Sequence, residues 1–307
     1  MVITVVPAPL TITADGMSRA YGVASPSFTA TYSGFVNGDI AGGLDTPVTL
    51  ATTADTNSPV GSYVITATGA SDINYAITHV NGALTVTSVP LVATANNQSK
   101  IYGAALPDLT GSLTGVRNGD NIMAPFSATA TAASNAGSYP ITPALADPDS
   151  KLSNYTVTLN NGALIITAAP LLITANGTNR LYGAANPAFT ATYTGFVNGD
   201  AATDLDTPAT LATAATAASP AGAYAITASG ATDLNYAITY TPGTLTITPA
   251  ALLVTANHTN RLYGQTNPLF TVTYAGFVNG DDANDLSPAR LSSPLWPTRT
   301  APSATIW

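Results

Sequence analysis

The sequence predicts a mainly β chain made of small domains in tandem. Three observations predict it: a set of markers that recurs with a fixed step, apolar residues that alternate with threonine inside each copy, and Asn-Gly pairs that punctuate the alternation.

The repeat organises everything else. Tyr21-Gly22 returns as Tyr102-Gly103, Tyr182-Gly183 and Tyr263-Gly264, at spacings of 81, 80 and 81 residues. Gly34-Phe35-Val36-Asn37-Gly38-Asp39 keeps the same step, returning as Gly115-Val116-Arg117-Asn118-Gly119-Asp120 and again at Gly195 to Asp200 and Gly276 to Asp281. Asn74-Tyr75 returns as Asn154-Tyr155 and Asn235-Tyr236, and Gly61-Ser62-Tyr63 as Gly137-Ser138-Tyr139 and Gly222-Ala223-Tyr224, with some drift in the last spacing. The period is too long for one coil of a solenoid, so each copy reads as an autonomous domain with its own hydrophobic interior. The expected boundaries are 1–8 for the last strand of an upstream copy, then 9–89, 90–169 and 170–250 for three whole repeats, and 251–307 for a truncated fourth. From about residue 290 the fourth copy loses the threonine alternation, which points to a change of reading frame in Ser293 to Trp307.

Within a copy, runs such as Leu10-Thr11-Ile12-Thr13-Ala14, Phe28-Thr29-Ala30-Thr31-Tyr32, Tyr63-Val64-Ile65-Thr66 and Leu84-Thr85-Val86-Thr87 have period two, the mark of a half-buried strand. Threonine suits the open face because its β-branch fits the pleat while its hydroxyl stays in water. Asn37-Gly38, Asn118-Gly119, Asn198-Gly199 and Asn279-Gly280 mark turns, since both residue types tolerate positive φ. Leu44, Leu205 and Leu286 each lie five residues after the Asp of that turn, consistent with an N-capped helical turn that tucks one leucine inward. The second copy has Pro125 there, which puts its helical turn in doubt. Pro26, Pro107, Pro187 and Pro268 open the next alternating run, and Tyr21, Phe28, Tyr63 and Tyr75 are the candidate core aromatics. Consecutive copies are joined by no more than Ser88-Val89-Pro90 and its counterparts, a stiff link that predicts an elongated rod of about 100–150 Å.

Composition excludes several functions. Of 307 residues only 8% are charged, and 8 Lys+Arg against 16 Asp+Glu leave a net charge of -8, the wrong sign for a groove that tracks phosphates. Hydrophobic residues make up 46%, but no apolar run approaches the ~18 residues of a membrane-spanning helix, so neither nucleic acid nor membrane insertion is expected. Met1-Val2-Ile3-Thr4 has no basic n-region and no small-residue cleavage site, so no signal peptide is read in it. With no cysteine and two histidines, the chain has little material for a nucleophile or a metal centre. No catalytic, cofactor-binding or metal-binding residue is assigned, and no enzyme is expected.

Four features compete for a functional role. Asp39 and Asp45, Asp200, Asp204 and Asp206, and Asp281, Asp282 and Asp285 could surround calcium, but the second copy offers only Asp120, so capping and turn formation is the preferred reading. His79 and His258 hold unrelated places in the repeat and read as surface residues. Asn97, Asn154, Asn176 and Asn257 begin glycosylation sequons, at about the number chance supplies in a chain this rich in Asn and Thr. Exposed tyrosines could stack on sugar rings, although their place in alternating strands favours core packing.

The Tyr-Gly, the Pro-led strand, Gly-Phe-Val-Asn-Gly-Asp, Gly-Ser-Tyr and Asn-Tyr together resemble the MBG repeat of the Tyr-Gly-x type, from about Pro9 to Leu286. The resemblance implies a β-grasp-like fold, with Ig-like β-sandwich repeats as the alternative. It also implies a stalk or interaction module of large bacterial surface proteins, such as filamentous haemagglutinin-like adhesins. The expected location is extracellular or at the cell surface. The expected partners are the neighbouring repeats of the same chain, with a host or environmental glycan or protein as a further candidate. A multivalent carbohydrate-binding array is the second reading, and a spacer in a secreted multidomain enzyme the third.

Overall fold

The computed structural model describes residues 1–286, so the aberrant tail from about residue 290 lies outside the described residues. The chain divides into two compact units, Met1–Ala168 and Ala169–Trp307.

The first unit holds two copies of one topology. In the first copy the strands are β1 (Ala8–Ala14), β2 (Met17–Ala20), β3 (Ala30–Ser33), β4 (Thr49–Ala51), β5 (Gly61–Thr68), β6 (Tyr75–Val80) and β7 (Gly82–Thr87). They form two sheets, of order β3-β1-β6 and β2-β7-β5-β4. The mainly β, tandem-repeat architecture is as the sequence predicts, and the two-sheet layering is that of the sandwich alternative. Among the described residues no helix long enough to cover a sheet forms: the helical turn after Asn-Gly-Asp of the first copy is a single 3-10 turn, Ala41–Gly43, with Leu44 buried just beyond it.

Period two explains the strands. Leu10, Ile12 and Ala14 of β1 point inward, as do Ile65 and Ala67 of β5 and Leu84 and Val86 of β7. The intervening threonines pair with one another on the open faces, Thr11 with Thr78 and Thr13 with Thr31. Two pairings are parallel, β1 with β6 and β2 with β7. The second of these involves a strand that no alternation announces. Met17–Ala20 turns Arg19 inward, where an apolar residue would be expected.

The second copy repeats the plan in β8 (Val89–Ala95), β9 (Gln98–Ile101), β10 (Gly111–Thr114), β11 (Phe126–Ala128), β12 (Gly137–Pro143), β13 (Tyr155–Asn160) and β14 (Gly162–Thr167). Its loop after Asp120 forms no helical turn. Ile122 takes the buried place that Leu44 fills in the first copy, and the bridge Thr46 to Ser71 becomes Met123 to Ala146. A 3-10 turn, Leu152–Asn154, appears instead before β13. The link between the two copies is shorter than expected: β8 already includes Val89 and Pro90, leaving Ser88 alone between β7 and β8.

The second unit contains β15 (Ala169–Ala175), β16 (Thr178–Leu181), β17 (Ala191–Thr194), β18 (Thr210–Thr213), β19 (Gly222–Ser229), β20 (Tyr236–Thr241) and β21 (Gly243–Thr248), with the 3-10 turn Ala202–Asp204. In the fourth copy β22 (Leu253–Ala256) pairs only with β23 (Val272–Ala275). Without further strands among the described residues, Leu253, Leu262, Tyr263 and Phe270 stay exposed.

The first copy encloses two apolar clusters of its own, Leu10, Ile12, Leu44, Ala70 and Tyr75, and Ala14, Ile65, Ala67 and Leu84. A third crosses from one copy to the next: Tyr21 and Val86 pack with Val89, Leu91, Ile122 and Tyr155. The expectation that every copy keeps a wholly private interior is corrected here. A single-residue link brings the end of one copy close enough to share side chains with the start of the next.

The alternation yields a paired test. Ile65→Ala empties a fully buried site and should cost about 2–5 kcal/mol. Val64→Ala on the open face of the same strand should cost under about 1 kcal/mol. Native-state hydrogen exchange of the β7 amides reads both, and equal costs would contradict the assigned faces.

Candidate functional site at the inter-repeat joint

The recurring motifs meet at one place. Strand β2 lies parallel on β7, and the Tyr21 amide continues that pairing by donating to the Thr87 carbonyl at 2.9 Å. Gly22 then turns with φ +76, which leaves the Tyr21 ring at the very end of its copy. The ring is 1% exposed because the next copy covers it.

The covering surface is built from that copy's own markers. Asn118 and Gly119 have φ of 54 and 70, and the Asp120 amide donates to the Arg117 carbonyl at 2.9 Å, closing the turn. This aims the Asp120 carboxylate at two phenols. Tyr155 donates to its Oδ2 at 2.7 Å, and Tyr21, from the preceding copy, donates to the same oxygen at 3.1 Å. The Arg117 amide donates to the Tyr155 hydroxyl at 2.9 Å, and the two rings stand edge to face with centroids 5.7 Å apart. Two more bonds cross the joint: the Asn118 side-chain amide donates to the Thr56 carbonyl at 3.0 Å, and the Val60 amide donates to Asn154 Oδ1 at 2.9 Å. Gly22 has to be glycine on two counts, its positive φ and a Cβ that would sit 2.9 Å from that of Arg117.

The joint between the third and fourth copies shares part of this plan. The Asn279 side chain donates to the Ala217 carbonyl at 3.1 Å, and a Cβ on Gly183 would lie 2.6 Å from Val278 Cγ2. Tyr182 and Asp281, the counterparts of Tyr21 and Asp120, line a cavity of about 300 Å³ together with Pro220, Phe277 and Leu286. Among the described residues the fourth copy supplies no counterpart of Tyr155 to this space.

The aspartates are therefore phenol and amide acceptors. Asp39 accepts from Tyr75 and Asp200 from Tyr236, both at 2.7 Å. Capping by the turn's Asp is corrected: the residue at the cap position is Ile40 in the first copy and Ala201 in the third, neither with a side-chain oxygen. Asp45 accepts from the Ile73 amide, Asp204 from that of Ala201 and Asp285 from that of Asp282, while Asp282 accepts from Asn284 and Asp206 is exposed. Among the described residues no three acidic or histidine side chains converge as metal ligands.

The other candidates scatter. His258 is exposed, whereas His79 lies on β6, half-buried, with Nε2 shielded and unpartnered, so the surface reading fails for it. Of the sequon asparagines, Asn154 is 2% exposed at the joint and closed to modification in the fold, while Asn97 and Asn257 are exposed. Tyr21, Tyr75, Tyr102, Tyr155 and Tyr236 are buried, which leaves no sugar-stacking face on them. Sequence reasoning gave Tyr21 to its own copy's core and missed Asn154 as a bridge. It also missed a cation that recurs two residues before each Tyr-Gly, at Arg19, Lys100, Arg180 and Arg261.

Burial, helped by the hydrogen bond to Asp120, pushes the Tyr155 phenol up to about 12. Burial also raises that of Tyr21, and it lowers the Lys100 ammonium. What the arrangement does is hold two domains together.

Comparison with known proteins agrees with the markers. The model of the MBG domain (YGX type) matches residues 10–85, 91–165, 171–246 and 252–305. No curated protein matches. Among solved structures, Drosophila N-cadherin EC1-4 aligns at 9% identity and a TM-score of 0.26, covering 78% of this chain and 76% of that one. Drosophila N-cadherin EC1-3 aligns at 8% identity and a TM-score of 0.25, covering 76% of this chain and 98% of that one. At such scores neither bears on what this chain does.

Two outcomes test the joint. Asp120→Ala leaves two buried phenols short of an acceptor where Asp39→Ala leaves one, at about 1–3 kcal/mol for each. The loss of stability in the first unit, read by hydrogen exchange, should be larger for Asp120→Ala, and equal losses would remove Tyr21 from the account. The second outcome concerns pH. A folded-state phenol near 12, above the ordinary value of about 10, favours the neutral form in the fold. Its contribution is whole below about pH 10 and is lost as pH climbs through 12. A phenolate absorbance titration should lose a late-ionising component in Tyr155→Phe.

Proposed function

The chain belongs to the MBG domain (YGX type) family, and we propose that it is a non-enzymatic stalk segment of a bacterial surface or secreted adhesin. Its task is to carry a binding region away from the cell, and its location is extracellular. The observation behind this reading is that the family's signature residues are spent on the joint. Tyr21, Gly22, Asn118, Asp120 and Asn154 fix one copy on the next. A single-residue link and a shared apolar cluster serve a spacer that has to keep its reach. We take the repeats to be the segments 9–89, 90–169 and 170–250, with a partial copy from 251. The absence of cysteine suits export of an unfolded chain, because no cross-link then blocks passage.

Small-angle scattering should give a maximum dimension near the about 100–150 Å of an extended array. A compact particle would overturn the stalk reading. A glycan array at high density tests the carbohydrate alternative, and specific binding there would favour it over a spacer. Protease resistance belongs to the same reading. Arg19, Lys100 and Arg180 are buried whereas Arg261 is exposed, so limited trypsinolysis should cut after Arg261 well before any of the other three. Cleavage at comparable rates would contradict it.

A further inference from the structure

In each of the first three copies one cation is buried, and its hydrogen bonds go to carbonyl oxygens, not carboxylates, among the described residues. Arg19, Lys100 and Arg180 are 5%, 8% and 7% exposed, and each stands two residues before its Tyr-Gly. Removing such a charge from water is costly unless it is hydrogen-bonded, and Arg19 Nε is buried without a partner, so a position that keeps a cation in three copies needs a reason. The hydrogen bonds supply it. Arg19 Nη1 donates to the Val23 carbonyl at 2.9 Å, just past the Tyr-Gly turn, while Nη2 donates to the carbonyl of Asp55 in a different loop. Lys100 does the same with one ammonium, reaching the Ala104 carbonyl at 3.0 Å and the Ala132 carbonyl at 2.9 Å. Arg180 donates to the Leu181 carbonyl at 3.0 Å and to that of Thr216.

The second loop is the one that the next copy grips. The residue after Asp55 is Thr56, whose carbonyl accepts from Asn118 across the joint, and Val60 of the same loop donates to Asn154. The register returns in the other unit: Arg180 holds the Thr216 carbonyl, and Asn279 of the fourth copy holds the next one, Ala217. Two adjacent peptide groups thus connect a buried cation in one copy to the Asn-Gly turn of its neighbour, at both joints described.

We propose that the cation before Tyr-Gly is the positioning residue of the inter-repeat joint. It ties the turn that carries the inserted tyrosine to the loop that receives the next copy's asparagine, so that both halves of the contact surface move as one body. The forked guanidinium is shaped for this, and Lys100 marks lysine as an acceptable substitute where arginine is otherwise used. This assignment rests on the joint geometry and holds whatever the array carries.

The test is hydrogen exchange on the full chain. In Arg19→Met, the Val60 amide and the Asn118 side-chain amide should exchange about tenfold faster or more, through local opening of the joint. The Ala67 amide, held by Asn81 within the first copy, should keep its rate. Arg19→Lys should restore Val60 to near the wild-type rate. In a cycle of Arg19→Met with Asn118→Ala, the effects on Val60 should fall short of multiplying, although the two side chains never touch. The proposal is overturned if Val60 is unchanged, if Ala67 accelerates in step with it, or if the two effects multiply as independent ones. Should Arg19→Met fail to fold, Arg180→Met read at the Asn279 side-chain amide gives the same decision. Failure of both to fold would make the cation a general requirement of the domain and would also refute a role at the joint.

Discussion

The parallel pairing of β2 on β7 is the constraint on which the rest depends. It places a strand from near the start of a copy beside the strand that ends it, so Tyr-Gly emerges where the chain passes to the next copy. An antiparallel hairpin could not do this, because a two-residue turn would return the chain along the strand it had just left. With β2 on β7, the tyrosine, the glycine turn and the buried cation are all delivered to one end of the domain. The Asn-Gly-Asp turn and the Asn-Tyr strand are delivered to the other end by β3 and β6, the two neighbours of β1.

The joint also explains how copies with so little charge keep a defined geometry. Electrostatic attraction between surfaces would be weak and screened by salt. Here the contact uses an edge-to-face aromatic pair and a carboxylate shared by two phenols, partly withdrawn from water, together with exposed side-chain amides placed on carbonyls. Such bonds are short and directional, and breaking one leaves a buried polar group without a partner. Outside the joint, polarity is supplied by rows of threonine on the open strand faces.

Much of this was legible from the sequence, for identifiable reasons. The alternation in Leu10 to Ala14 and Leu84 to Thr87 named the inward residues correctly because side-chain direction in a strand is local. The Asn-Gly turns were readable because few other pairs accept positive φ at both positions. What failed was long-range. Asp39 looked like a helix cap because a cap and a phenol acceptor need the same carboxylate after a turn, and its partner Tyr75 lies 36 residues further on. Tyr21 looked like core for its own copy because composition cannot say which side of a boundary a ring faces. The recurring basic position was visible at the Tyr-Gly step, but its meaning depends on which carbonyls the fold brings near, and a sequence does not display carbonyls. Ile122 escaped notice because a shortened loop moved the buried residue out of step with Leu44.

One copy supplies the tyrosine and the receiving carbonyl, and the next supplies the carboxylate, the second phenol and the asparagines. Each whole copy carries both sets, one at either end, so any copy is equipped to follow any other. A gene built this way can gain or lose a unit by unequal recombination without a new surface being invented, provided the exchange respects the period. Length becomes a heritable variable that is uncoupled from fold, and what natural selection has to preserve is the phase of the repetition more than the number of turns it takes.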